Sequence, residues 1–203
     1  MSDRRGIIIV AVVLAAAGCK HTAYSGTAAG VLAPDLATGG LSASEVAAFA
    51  AFSRAERIGH VVAGDSMEIA MAGVAAWRTQ NGAINAFANQ LIVDHTESLR
   101  RVTLIAHQQA VSLEPAPNDT MPAHLLGMVE TLNAVTPSLE FDRKFLLSQI
   151  EMHQHMLAEL AALRTMTTDD AMTVYLNAAI PMVEGHLKTA QHIAQDLGFF
   201  NTH

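Results

Sequence analysis

Three histidines interrupt apolar stripes that would otherwise run unbroken. His95 lies between Leu91 and Leu99, His153 between Ile150 and Leu157, and His186 between Val183 and Ala190, at three- or four-residue spacing. Asp142 shares the stripe of Leu146, and Glu68 shares a small-residue face with Ala72 and Ala75. Burying such groups is costly unless they pair or bind a metal. Two readings follow. In one, Glu68, His95, Asp142, His153 and His186 are metal ligands. In the other, they form a hydrogen-bonded core network in a non-catalytic structural or interaction module. Asp94 is a candidate to orient a histidine, although its place next to His95 turns it sideways on the helix. Imidazole suits Zn, Cu or Fe. A di-iron site expects Glu-x-x-His pairs, and neither Met152-His153-Gln154-His155 nor Val183-Glu184-Gly185-His186 supplies that spacing. A mononuclear or loosely held ion fits better, and an oxidase or peroxide-handling enzyme is the least supported class. No catalytic triad, phosphate-binding Gly loop or Cys-x-x-Cys is present, so no catalytic residue is assigned. The pairs Met67/Met71 and Met152/Met156 and the lone Trp77 read as core filling.

Long helices must position these side chains. Strand signals are absent, and apolar residues recur at three-to-four spacing. The pattern predicts helices over about 44–78 (with a break near Gly59–Gly64), 82–112, 138–164 and 168–197, and a short extra helix over 123–133. Asn81-Gly82, Ser138 and Thr168-Asp169-Asp170 supply start signals, and Gly198 supplies a stop. The second stripe runs Ile84, Phe87, Leu91, Leu99, Val102 and Ile105. The third runs Leu139, Leu146, Ile150, Leu157, Leu160 and Leu163. Short turns at 79–82 and 165–168 make consecutive helices antiparallel neighbours, so the expected fold is an all-α antiparallel four-helix bundle over 43–200. At about 1.5 Å per residue, Glu68, His95 and His153 fall at one depth, roughly 16–20 Å from their turns. His186 falls deeper, at about 27 Å, nearer Asp142. Pro181 is the feature able to distort the last helix and merge the two layers.

The N-terminus points to export. Arg4 and Arg5 precede an apolar run, Ile7 to Ala17, that closes with Ala16-Ala17-Gly18-Cys19. About eleven apolar residues suit a secretory signal, whereas a spanning helix needs roughly 20. Cys19 is the lone cysteine, so no intrachain disulfide forms. Acylation would turn the lone thiol into a membrane anchor. The expected organisation is a lipoprotein signal peptide at 1–19 with lipid attached at Cys19, a Gly/Ala/Ser/Thr-rich tether at 20–42, and the bundle. The segment resembles the bacterial lipobox, with Ala16 where leucine is commonest. Lys20 after the cysteine then implies outer-membrane delivery, facing the periplasm, rather than inner-membrane retention. The formal charge is −7 and becomes one unit more negative once Asp3, Arg4 and Arg5 are removed. That balance argues against a nucleic-acid partner and against a basic membrane-binding face, leaving the lipid as the membrane contact.

The segment GDSMEIAMAGVAAWRTQNGAINAFANQLIVDHTESL (64–99), with Phe141-Asp142, His153 after Ile150, and Pro181 with His186-Leu187, resembles the exported ferritin-like bundles grouped as domain of unknown function family 4142. The resemblance covers about 52–197. It implies a ferritin-like fold and an envelope location, and it aligns Glu68, Asp94, His95, Asp142, His153 and His186 with the family's motif positions. The proline-rich loop and the wait until Phe145 for an aromatic after Asp142 depart from that pattern. The resemblance implies no reaction.

Overall fold

A computed structural model describes residues 42–113 and 121–200. The proposed signal peptide, Cys19 and nearly all of the tether lie outside the described residues. The rest is all-α: six helices and, among the described residues, no strand. They are α1 (Ala43–Ala51), α2 (Arg54–Arg78), α3 (Gly82–Gln108), α4 (Met121–Ala134), α5 (Leu139–Met166) and α6 (Asp170–Asp196). Among the described residues no helix is long and apolar enough to cross a membrane.

Each long helix begins where a side chain satisfies backbone N–H groups that have no partner in the first turn. Asn81 accepts from Ala83 and Ile84, Ser138 from Phe141, and Asp169 from Met172. The first break differs from the expected one. It falls at Phe52-Ser53, not at Gly59–Gly64, and α2 runs unbroken through both glycines. Its cause is a capping box: Ser53 Oγ accepts from the Glu56 N–H while the Glu56 carboxylate accepts from the Ser53 N–H. Two reciprocal bonds set this start more firmly than two glycines can end a packed helix. Ser53→Ala is expected to cost about 1 kcal/mol and to lower the thermal midpoint by about 3 °C. A differential scanning melt checks this.

α2 packs chiefly on α3 and α5 on α6, with further contacts of α3 on α6, α4 on α2, and α2 on α5. Their apolar faces form two clusters. One joins Met71 and Ala75 of α2, Ile84, Phe87 and Leu91 of α3, Phe141, Phe145 and Ile150 of α5, and Ala190 and Ile193 of α6. The other joins Ile58 and Val61 of α2, Val102 and Ile105 of α3, Leu160 and Leu163 of α5, and Leu176 and Val183 of α6. Where these helices pass from one cluster to the other they carry buried polar residues: Asp65 and Glu68 on α2, His95 and Ser98 on α3, His153 on α5 with Gln149 one turn before it, and His186 on α6. Burying a large apolar side chain contributes about 1.5–3 kcal/mol. The two clusters thus supply the stability that lets a polar layer sit inside the bundle.

Some stripe residues fall elsewhere than expected. Ser98 rather than Leu99 takes the buried place on α3, and Leu139 is 65% exposed. Trp77, read as packing, is 88% exposed. Met71 and Met152 are core residues, with Met67 and Met156 packed against the clusters.

Candidate functional site: a buried three-histidine cluster

The three imidazoles converge. Ring centroids are 5.7 Å apart for His95 and His153, 5.2 Å for His95 and His186, and 5.3 Å for His153 and His186. One ring nitrogen from each lies within 4.8 Å of the others. α6 passes through Pro181 as one helix, and His186 joins the others in a single layer.

Each ring is held by one nitrogen. His95 Nδ1 bonds Asp65 Oδ1 at 2.8 Å, His153 Nδ1 donates to the Gln149 carbonyl at 2.8 Å, and His186 Nε2 bonds Asp94 Oδ2 at 2.8 Å. Neutral imidazole donates from one nitrogen and offers a lone pair on the other. The remaining nitrogens, His95 Nε2, His153 Nε2 and His186 Nδ1, are buried without a hydrogen-bond partner. So are both carboxylate oxygens of Glu68, although Oε1 lies 3.3 Å from His153 Nδ1, which is already committed to Gln149. Gln149 sits beside Glu68 and favours its charged form, after the larger effects of burial and His95. Buried polar atoms are ordinarily satisfied; among the described residues the buried side-chain atoms without a partner, apart from Arg57 Nε, belong to Glu68, Gln149 and the three histidines.

Behind His95 the bonding continues. Ser98 Oγ donates to Asp65 Oδ2 at 2.8 Å and lies 2.8 Å from the Tyr175 hydroxyl. Burial and the Asp65 charge push the Tyr175 hydroxyl up, so it stays protonated. Burial pushes Glu68 up to about 7 against the pull of His95. Burial also lowers His153 well below the usual imidazole range, helped by the neighbouring His95 and His186, and it lowers His186. For His95, burial is outweighed by the Asp65 hydrogen bond and by the charges of Glu68, Asp65 and Asp94, and its pKa is raised.

These shifts have a stability consequence in the metal-free protein. A carboxylate raised from 4.5 to about 7 contributes stability that is complete below the unfolded value and is lost as pH rises through the folded one. His153 and His186 act oppositely, losing their contribution as pH falls below the unfolded imidazole value. Comparison with Glu68→Gln isolates the carboxylate. Relative to that variant, the metal-free parent is expected to lose about 3 kcal/mol between pH 4.5 and pH 8, read from urea unfolding at each pH.

The structure brings together Glu68, His95, His153 and His186, with Asp94 on His186. It does not bring Asp142. That carboxylate accepts from Thr79 Oγ1 at 2.6 Å and ties the start of α5 to the end of α2. Eleven residues separate it from His153 on one helix, about 16 Å of axial rise, so it belongs to the wall of the bundle end. Sequence reasoning missed Asp65, Ser98, Gln149 and Tyr175. Their signal was spacing: Asp65 is three residues before Glu68, Ser98 three after His95, and Gln149 four before His153, each on the buried face of its helix.

Fold and site together define a helical bundle with a buried, carboxylate-braced histidine cluster. The chain belongs to the family described as Domain of unknown function (DUF4142), which matches residues 23–193. No curated protein and no solved structure matches it.

Proposed function

We propose that this protein is an envelope lipoprotein whose antiparallel, ferritin-like four-helix bundle binds one transition-metal ion through His95, His153 and His186, with Glu68 as the fourth ligand. One observation carries the reading: three buried imidazoles, each fixed through one nitrogen, leave the other unpartnered beside a partnerless carboxylate. Metal-bound histidines almost always donate their second N–H to a carboxylate or a backbone carbonyl, which sets the tautomer and the ring orientation. Asp65, the Gln149 carbonyl and Asp94 fill that role here. Zinc–imidazole bonds of about 2.0–2.1 Å place the nitrogens of a tetrahedral ion roughly 3.3 Å apart. Ring nitrogens that already lie within 4.8 Å of one another would draw together to that spacing on binding.

The donor set, three imidazoles and one carboxylate, suits Zn, Fe or Cu. A single carboxylate among the ligands leaves a paired di-iron centre without its bridges. A polar network serving only helix register fits less well, since such a network stabilises when fully satisfied and this one leaves its central atoms unpaired. The Arg4-Arg5, Ile7–Ala17 and Cys19 pattern supports delivery to the outer membrane by lipid anchor, facing the periplasm.

Metal analysis of untagged protein after reconstitution with Zn(II), Fe(II) or Cu(II) tests the proposal. The expected result is about one equivalent of ion per chain, given one three-imidazole site. Uptake below about a tenth of an equivalent for all three ions would overturn it.

A further inference from the structure

The four ligands are not equally enclosed. Glu68, His95 and His153 are 0% exposed, whereas His186 is 6% exposed. The partners differ likewise. Asp65 is buried, but Asp94 is about a quarter exposed. Asp94 lines an open groove of about 230 Å³ with Glu97, Ser98, Arg101, Tyr175 and Ala178. All of these belong to α3 or α6, so the groove runs between those two helices, and Asp94, which bonds His186, connects it to the cluster. A second cavity touches the layer from the Asp65 side, lined by His60, Gly64, Met156 and Glu159 among others. It has room for about one water, at 10 Å³.

We infer that the metal ion reaches and leaves the cluster through the α3–α6 groove, with Asp94 as the first carboxylate it meets and His186 as the ligand that swings. The inference rests on the metal-binding reading above. Its chemistry follows from the bonding. Asp94 receives both of its hydrogen bonds, from Gln90 and from His186, on Oδ2, so Oδ1 carries neither. An ion meeting Oδ1 is held next to the least enclosed of the three imidazoles. Rotation of His186 away from Asp94 and back then passes the ion to the buried nitrogens without opening the apolar clusters.

Zinc exchange tests the route. Loading with Zn(II) and extraction by EDTA are followed by stopped flow with a chromophoric zinc indicator, alongside equilibrium affinity. Ala178→Trp fills the groove from an exposed helical position, and Ala171→Trp places the same bulk on α6 outside it. A blocked path slows entry and exit equally. Ala178→Trp is therefore expected to slow both at least about ten-fold with an unchanged Kd, and Ala171→Trp to exchange as the parent does. Asp94→Asn keeps an oxygen for His186 and removes the charge, so loading should slow and lose salt dependence. An Ala178→Trp variant that binds zinc normally and exchanges at the parental rate overturns the route while leaving the site intact. A parent that takes up no zinc overturns the site and the route together.

Discussion

The His153→Leu variant is expected to be at least as stable as the parent without metal and markedly less stable with it. His153 is fully buried, and its Nε2 has no partner. Leaving such an atom buried costs about 1–3 kcal/mol. The Gln149 carbonyl that accepts from Nδ1 belongs to a continuous helix and retains its place in the backbone ladder. Leucine of similar size therefore relieves a cost without opening a cavity. With metal the sign reverses. Ligand at a thousand times its Kd stabilises the folded state by about 4 kcal/mol, and the variant has lost one of three imidazoles. Thermal melts with and without Zn(II) should cross: the variant at or above the parent when metal-free, well below it when zinc is saturating. A variant that gains as much from zinc as the parent would remove His153 from the ligand set.

Asp65→Ala is expected to be among the most damaging single changes, at about 3–5 kcal/mol. Asp65 uses both oxygens, one for His95 and one for Ser98, and the chain continues to Tyr175. Alanine leaves two buried donors without acceptors and frees the His95 ring to turn. Asp65→Asn retains the volume and one oxygen, and Ser98 can accept from the amide, so most of the stability should return. Metal affinity should not return with it: loss of the carboxylate behind a ligand histidine lowers affinity about 10–100-fold. Urea unfolding separates the two variants, and zinc competition separates stability from ligand orientation. Equal zinc affinity in Asp65→Asn and the parent would confine Asp65 to a structural role.

The helices were legible in the sequence because their signals are local. Asn81, Ser138 and Asp169 stand at helix starts, and three-to-four spacing marked most of the buried faces. The misplaced break had a signal too, since Ser53-x-x-Glu56 spells a capping box. The two glycines were the more conspicuous feature, but tertiary packing carries α2 through them. Gly64 is buried against the neighbouring helix, where an added Cβ would meet Met156 Cε at 3.3 Å.

The site was legible as residue types and not as geometry. Counting axial rise set His186 well below His153, yet their rings are 5.3 Å apart. Side chains lean toward the N-terminus of their own helix. α5 and α6 turn back on each other through residues 167–169, so His153 leans away from that turn and His186 toward it. Opposite leans close a gap that backbone counting leaves open. Asp142 was misread for the complementary reason. It shares the stripe of Leu146, but lies in the first turn of α5, where a bundle-end partner such as Thr79 is within reach. Asp94 looked sideways because it neighbours His95, and sideways on α3 is where α6 presents His186.

The most direct test of the central claim is X-ray absorption on the zinc-loaded protein, which reads the ligands themselves. The predicted spectrum has a first shell of about four nitrogen or oxygen atoms at 2.0–2.1 Å, with multiple scattering from three imidazoles that falls to two in His153→Leu. A shell of oxygens without imidazole scattering, or a spectrum that His153→Leu leaves unchanged, would contradict it.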